Sequence, residues 1–160
     1  MKHLILIRHA KAEYGYFNDD FNRDLTDKGI EESNIIANQI LIKKLNPDLI
    51  ISSGAKRALH TCKIISKIIK YSKNIKIDDN IYNTNYNNLL ETIKNIDNSI
   101  NSLMIFGHNP SLFDLTKYFC KQSINIFPTC STVSISFETK NWLYLEKEKL
   151  NFIIYPDLFK

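Results

Sequence analysis

Four side chains that can bind or attack a phosphoryl group follow apolar runs of the sequence: Arg8, His9, Arg57 and His108. Arginine presents a planar fork of N–H donors that matches the oxygens of a phosphate. A histidine whose ring is neutral can act as a nucleophile toward phosphorus. These residue types together predict a pocket that binds a phosphoryl group and transfers it to a histidine.

The apolar runs predict a regular alternation of strands and helices. Buried strands are predicted at 3–7, 48–52 and 102–106, helices at 26–44, 55–70, 86–96 and 110–120, a half-exposed strand at 131–137, and a terminal hairpin from 142–147 and 151–155. Such alternation is typical of an α/β fold. We expect a three-layer sandwich whose mostly parallel central sheet is covered by helices on both faces.

The predicted sheet explains how distant residues could form one site. In open α/β sheets, ligands bind beyond the carboxyl ends of the strands. Arg8, His9, Arg57 and His108 all follow predicted strands, so we expect them on one rim, although Arg8 and His108 are about 100 positions apart. Asn109 is predicted to cap the helix that follows, which would place His108 beside an N-terminus that attracts anions.

The expected reaction needs no metal and no cofactor. His9 would attack phosphorus, and water would hydrolyse the resulting phosphohistidine. Ser52 and Ser53 are alternative nucleophiles, but no Gly-x-Ser-x-Gly elbow surrounds them, so capping or turn roles are favoured. His60 is interpreted as structural, and no ligand spacing supports a zinc site.

Bulk properties limit the remaining functional classes. The chain has 160 residues and a formal net charge of +4, which suits one domain over 1–160. No basic arm indicates nucleic-acid binding, and no apolar run reaches the roughly 20 residues that span a membrane. The three cysteines have no Cys-x-x-Cys spacing. We therefore expect a cytoplasmic protein with reduced thiols.

Four segments in order resemble signatures of the histidine phosphatase superfamily. These are Arg8-His9-Ala10, Arg23-Asp24-Leu25-Thr26 followed by Gly29, Ser52-Ser53-Gly54 through Arg57-Ala58 to Thr61, and Gly107-His108-Asn109-Pro110. Asp24 and Gly54 stand where the family pattern has proline. The resemblance covers about residues 3–137, and the short chain with Ala after His9 resembles the SixA-type phosphohistidine phosphatase branch.

The resemblance implies a role for each matching residue. His9 would be the phosphorylated nucleophile, and Arg8, Arg57 and His108 would complete the catalytic pocket. The substrate is predicted to contact Arg8, Arg23, Arg57, His108 and Asn109. SixA-type enzymes remove phosphate from histidine on phosphotransfer proteins, so the resemblance implies a phosphorylated histidine phosphotransfer domain as partner and a role in signal transduction.

One departure from the larger relatives bears on the substrate. Those relatives carry a carboxylic acid before the third helix that protonates the leaving group, whereas residues 81–88 here contain no acid. An imidazole leaves phosphorus readily without such help, which favours phosphohistidine. Acids of the 11–24 loop could replace it: Glu13, Asp19, Asp20 or Asp24. A small-molecule phosphomonoesterase and a non-catalytic phosphoprotein-binding module therefore remain alternatives.

Overall fold

A computed structural model of the chain describes residues 1–15, 19–121 and 124–160, so positions 16–18 of the 11–24 loop lie outside the described part. The strands are β1 (Lys2–Arg8), β2 (Leu49–Ser52), β3 (Lys76–Ile77), β4 (Ser102–Gly107), β5 (Thr132–Phe137) and β6 (Glu148–Ile154). The α-helices are α1 (Asp27–Ile42), α2 (Lys56–Ile68), α3 (Tyr86–Lys94) and α4 (Ser111–Phe119).

The described strands form one mixed sheet in the order β3-β2-β4-β1-β5-β6. Strands β3, β2, β4 and β1 run parallel to one another, and β5 and β6 are added antiparallel. This arrangement confirms the predicted mostly parallel sheet. It also places the carboxyl ends of β2, β4 and β1 side by side, as the convergence of the site residues requires.

Both faces of the sheet are apolar, and each face is covered by two helices. Along β1, Leu4 and Leu6 point to one side and Ile5 and Ile7 to the other, and all four are at most 1% exposed. The first side packs against α3 and α4, and the second against α1 and α2. A strand buried on both faces is a continuous apolar run, which is the pattern that the sequence shows here.

Helix caps are confirmed at one site and differ from prediction at another. The Thr26 hydroxyl accepts the Gly29 N–H at 3.1 Å, so Thr26 is the N-cap of α1 as expected. The N-cap of α4 is Pro110, and the prediction that Asn109 caps this helix is wrong. The Asn109 side chain is instead drawn away, because its amide donates to the Phe127 carbonyl at 3.1 Å.

The predicted terminal hairpin is also wrong. Residues 142–147 form no strand, and β6 pairs with β5 over Thr132–Phe137. Trp142 explains the difference, since its ring is fully buried and its indole N–H donates to the Ile100 carbonyl at 2.7 Å. Because this large aromatic ring is buried in the core, residues 142–147 are held away from the edge of the sheet. The two-residue strand β3 was not predicted.

No helix in the described ranges is long and apolar enough to cross a membrane. The three cysteines, Cys62, Cys120 and Cys130, are buried and unpaired.

Candidate active site

The ends of β1, β2 and β4 place the predicted residues in one pocket. The His9 N–H donates to the Gly107 carbonyl at 3.0 Å, and the Ser53 N–H donates to the Phe106 carbonyl at 3.0 Å. These bonds continue the parallel pairing by one residue past each strand. His9 therefore lies beside His108, with 5.2 Å between their ring centroids, and the predicted convergence on one rim is confirmed.

One main-chain and one side-chain hydrogen bond set the orientation of the His9 ring. Its Nδ1 donates to the Ala10 carbonyl at 2.8 Å, and its Nε2 accepts from Arg57 Nε at 3.3 Å. A carbonyl can only accept, so the ring proton lies on Nδ1 and the lone pair lies on Nε2. His9 consequently presents an unprotonated nitrogen to the Arg57 guanidinium.

Burial and positive charge keep His9 neutral. Desolvation is the main reason that the pKa of His9 falls to about 4, and Arg57 and Arg8 lower it further. The His9 side chain is in its neutral form at physiological pH as a result. A neutral ring could act as a nucleophile without a separate base to deprotonate it.

His108 is held from the other side of the pocket. Its Nε2 lies 2.9 Å from Ser53 Oγ in a buried hydrogen bond, and its Nδ1 is buried with no hydrogen-bond partner among the described residues. Burial, followed by the neighbouring His9 and Arg57, lowers the pKa of His108 to about 3. His108 is thus a neutral ring with one polar atom uncommitted.

Two arginines surround the histidines, and with them form what we call the pocket floor (Arg8, His9, Arg57, His108). Arg57 is 5% exposed and lies in the first turn of α2. Arg8 donates from Nη1 to the Phe127 carbonyl at 2.9 Å, while its Nε is buried and unpartnered in the part of the chain that the structure describes. Arg8 Nε is therefore an N–H donor that no other described residue occupies.

A second group of side chains forms the pocket mouth (Asp20, Arg23, Tyr82). Asp20 accepts from Arg23 Nε at 2.9 Å, from Arg57 Nη2 at 3.1 Å and from the Tyr82 hydroxyl at 2.7 Å. Its main-chain carbonyl also accepts from Arg57 Nη1 at 2.6 Å. Arg23 reaches the site as predicted, and it lines the same cavity as the floor.

At the mouth, Asp20 forms ion pairs with Arg23 and Arg57. The hydrogen bond from Tyr82 is the main reason that the pKa of Asp20 falls to about 2, and Arg57 and Arg23 add to this effect. Glu13, Asp19 and Asp24 of the 11–24 loop do not line the cavity. The Asp24 carboxylate instead pairs with His60 and Lys56.

The cavity between floor and mouth has a volume of about 290 Å³. Its described lining consists of Arg8, His9, Lys11, Ala12, Tyr14, Arg23, Arg57, His108, Asn109 and Thr129. Within that lining there are four cationic side chains and no carboxylic acid. The cavity thus suits an anion, and its described walls supply no carboxyl proton to a leaving group.

One residue that supports the site, Glu32, was missed from the sequence. Glu32 is buried in α1, where one carboxylate oxygen accepts from the Lys11 N–H at 2.9 Å and from the Thr129 hydroxyl at 3.0 Å. It therefore joins two lining segments from below. A glutamate on the apolar face of a predicted helix was the signal that could have revealed it.

The sequence profile of the histidine phosphatase superfamily (branch 1) matches residues 4–112. The chain belongs to this superfamily. The four motifs that resemble it all lie within the matched range. Members of this superfamily are phosphatases that use a histidine nucleophile and need no metal. This chain is therefore an enzyme of the phosphoric hydrolase class, a histidine phosphatase.

Solved structures share the fold of this histidine phosphatase over nearly its whole length. The crystal structure of the "putative phosphohistidine phosphatase SixA" from Agrobacterium tumefaciens is 25% identical, with a TM-score of 0.85 over 97% of this chain and 98% of that one. A protein histidine phosphatase SixA complexed with tungstate is 19% identical, with a TM-score of 0.84 over 99% of both chains. The SixA-type architecture is thereby confirmed.

A curated relative matches a shorter stretch. "Putative phosphoserine phosphatase 2" from Hydrogenobacter thermophilus is 39% identical over 72 residues, which is 43% of this chain. The match spans about a third, 34%, of that relative's length.

Proposed function

We propose that this histidine phosphatase removes phosphate from a histidine of a phosphotransfer protein, with His9 as the nucleophile. The observation that carries the proposal is the composition of the cavity. His9, with an unprotonated Nε2, and four cationic side chains line it, but no carboxylic acid does among its described lining residues. Such a site can transfer a phosphoryl group only when the leaving group departs without a strong acid.

The proposed first step forms one bond and breaks another. The Nε2 lone pair of His9 attacks phosphorus, and the P–N bond to the substrate imidazole breaks as the leaving nitrogen takes a proton from solvent. In the second step water attacks phospho-His9, releases orthophosphate and restores the lone pair on Nε2. Because the phosphoryl oxygens carry the charge, catalysis depends mainly on positioning and on N–H donors.

Each of the remaining site residues has a proposed role in binding. Arg8, Arg57 and His108 contact the phosphoryl oxygens at the floor, and Arg23 contacts the substrate at the mouth. Asn109 lines the cavity beside them, where its amide is held by the Phe127 carbonyl. The proposed substrate is a phosphorylated protein in a cytoplasmic signalling pathway, in keeping with the phosphohistidine activity named for the SixA structures.

A second candidate is a phosphomonoesterase that acts on phosphoserine or a small phosphate ester. The partial match to the relative named as a phosphoserine phosphatase favours it, as does the fold shared with a mycobacterial glucosyl-3-phosphoglycerate phosphatase at 12% identity and a TM-score of 0.63. An ester leaving group is a poor one that needs protonation. The lack of a carboxylic acid in the described cavity lining ranks this candidate second.

The test compares substrates and variants side by side. A phosphorylated histidine phosphotransfer domain, phosphoserine and a sugar phosphate are each incubated with the wild type, with His9→Ala and with His3→Gln, and phosphate release is measured. We expect turnover of the phosphotransfer domain only, lost by about 10⁴-fold or more in His9→Ala. His3 lies at the far end of β1, so His3→Gln should retain activity.

Two results would overturn the proposal. Faster release from phosphoserine or the sugar phosphate than from the phosphotransfer domain would favour the second candidate. Undiminished turnover by His9→Ala would remove His9 from the role of nucleophile, whichever substrate is used.

A further inference from the structure

Ser53 is a buried hydroxyl that the proposed reaction does not use. It follows directly after β2 and is 0% exposed. Its Oγ lies 2.9 Å from Nε2 of His108 and accepts the Ala55 N–H at 3.2 Å. A hydroxyl has one proton to donate, and in the described structure the His108 ring is the only acceptor that contacts it.

We propose that Ser53 is a positioning residue that sets the tautomer of His108. The Ser53 hydroxyl donates to Nε2, so the ring proton of His108 lies on Nδ1. That N–H is then available to donate to an oxygen of the transferred phosphoryl group.

The assignment follows from counting protons among buried atoms. If Nε2 carried the ring proton, Ser53 Oγ would accept twice, and its own O–H would be left buried with no acceptor in the described structure. Such an unpaired donor costs about 1–3 kcal/mol. In the proposed tautomer every hydrogen-bonding atom of Ser53 has a partner. The one unpaired atom is then the buried Nδ1 of His108, a residue that lines the cavity.

The two histidines of the floor then have the same tautomer but offer opposite atoms. His9 uses its Nδ1–H on the Ala10 carbonyl and offers the lone pair of Nε2. His108 uses its Nε2 lone pair on Ser53 and offers the N–H of Nδ1. One ring is set to attack phosphorus and the other to stabilise its oxygens.

The tautomer can be measured directly in the free protein. Two-dimensional ¹H–¹⁵N spectra of the histidine rings, assigned with His108→Gln, distinguish Nδ1–H from Nε2–H. We expect the Nδ1–H form for His108 in the wild type and a shift of that resonance when inorganic phosphate is added. An Nε2–H form in the wild type would overturn the proposal without any need for a Ser53 variant.

Turnover provides the second measurement, and this part rests on the proposed function. Ser53→Ala should lower kcat by about tenfold or more. The loss should remain smaller than the roughly 10²–10³-fold loss expected when a donor is removed outright. Ser52→Ala is the matched control, because Ser52 is equally buried but donates to the Ser53 carbonyl at 2.9 Å. Equal kcat values for the two variants would overturn the proposal.

The two failures are distinguishable. The tautomer is read without substrate, and the kcat ratio of Ser53→Ala to Ser52→Ala is read on whichever substrate is turned over. A change of substrate class would therefore leave the test of Ser53 intact.

Discussion

The pocket floor and the pocket mouth both contain arginine, but they are built differently. In the floor, His9, Arg57 and His108 are 5–8% exposed, and the strand ends place His9 and His108 side by side. In the mouth, Asp20 and Arg23 have side-chain exposures of 49% and 25%, and they bind each other. Arginine therefore acts in a low-dielectric site at the floor and in a partly hydrated site at the mouth.

This difference predicts which charges matter most to the reaction. An interaction in a buried site is screened little by water, whereas an exposed ion pair contributes about 0–1 kcal/mol. We expect the floor to determine the rate of chemistry and the mouth to adjust substrate affinity.

Replacing one arginine from each region should separate them most clearly. Arg57→Ala removes donors from the buried floor and should lower kcat/KM by about 10²–10³-fold. Arg23→Ala should lower it by about tenfold at most, mainly through KM. Steady-state kinetics on the phosphorylated protein measure both.

Lys56→Ala is the control for these variants, because Lys56 precedes Arg57 in α2 but pairs only with Asp24 in the described structure. Equal losses for Arg57→Ala and Arg23→Ala would contradict the division between floor and mouth.

A neutral residue at Asp20 should have a smaller effect. Asp20→Asn keeps the size of the side chain and the carbonyl contact with Arg57, but removes the negative charge between the two arginines. We expect KM to change by less than about fivefold, as for an exposed ion pair, with kcat nearly unchanged. Asp19→Asn serves as control, since Asp19 contacts only Asn22 among the described side chains.

The same variant tests the proton-donor alternative. A fall in kcat of about 100-fold in Asp20→Asn would show that the acid takes part in the chemistry, contrary to the lowered pKa of its carboxyl group.

Acid stability should distinguish the two regions by the pH at which each titrates. His9 and His108 have pKa values of about 4 and about 3 in the folded protein, below the ordinary value of about 6.5. The unfolded chain binds protons as the pH falls below about 6.5, while the folded chain does not until about 4. The floor histidines therefore destabilise the fold progressively over that interval.

Melting temperatures at pH 7.5 and pH 5 measure this effect. His9→Gln should lose less stability between the two pH values than the wild type, by roughly 2–4 °C for each kcal/mol. Asp20, with a pKa of about 2 against 3.8 in its unperturbed form, contributes stability that is lost only as the pH falls below about 4. An unchanged pH dependence in His9→Gln would contradict a buried, neutral His9.

Sequence patterns were sufficient for the central strands, the helices and the convergence of the floor residues, but not for β3 or the terminal hairpin. Apolar runs of β-branched and aliphatic residues predicted the central strands, because a strand covered on both faces must be apolar throughout. Helix ends were harder to predict: Thr26 caps α1 as expected, but Asn109 does not cap α4. A capping preference of about 1 kcal/mol is easily outweighed by a competing hydrogen bond to Phe127.

The amino-acid sequence by itself determined that Arg8, His9, Arg57 and His108 meet at one edge of a parallel sheet, because the rule for strand ends depends only on local patterns and connection order. Only the tertiary structure decided which side chain Nε2 of each ring contacts and that Asp20 is an ion-pair partner. These properties depend on contacts between residues that are 37 to 62 positions apart, such as Arg57 and Tyr82 with Asp20 and Ser53 with His108. No local pattern encodes such distances, since burial and hydrogen bonding there are set by the packing of whole elements.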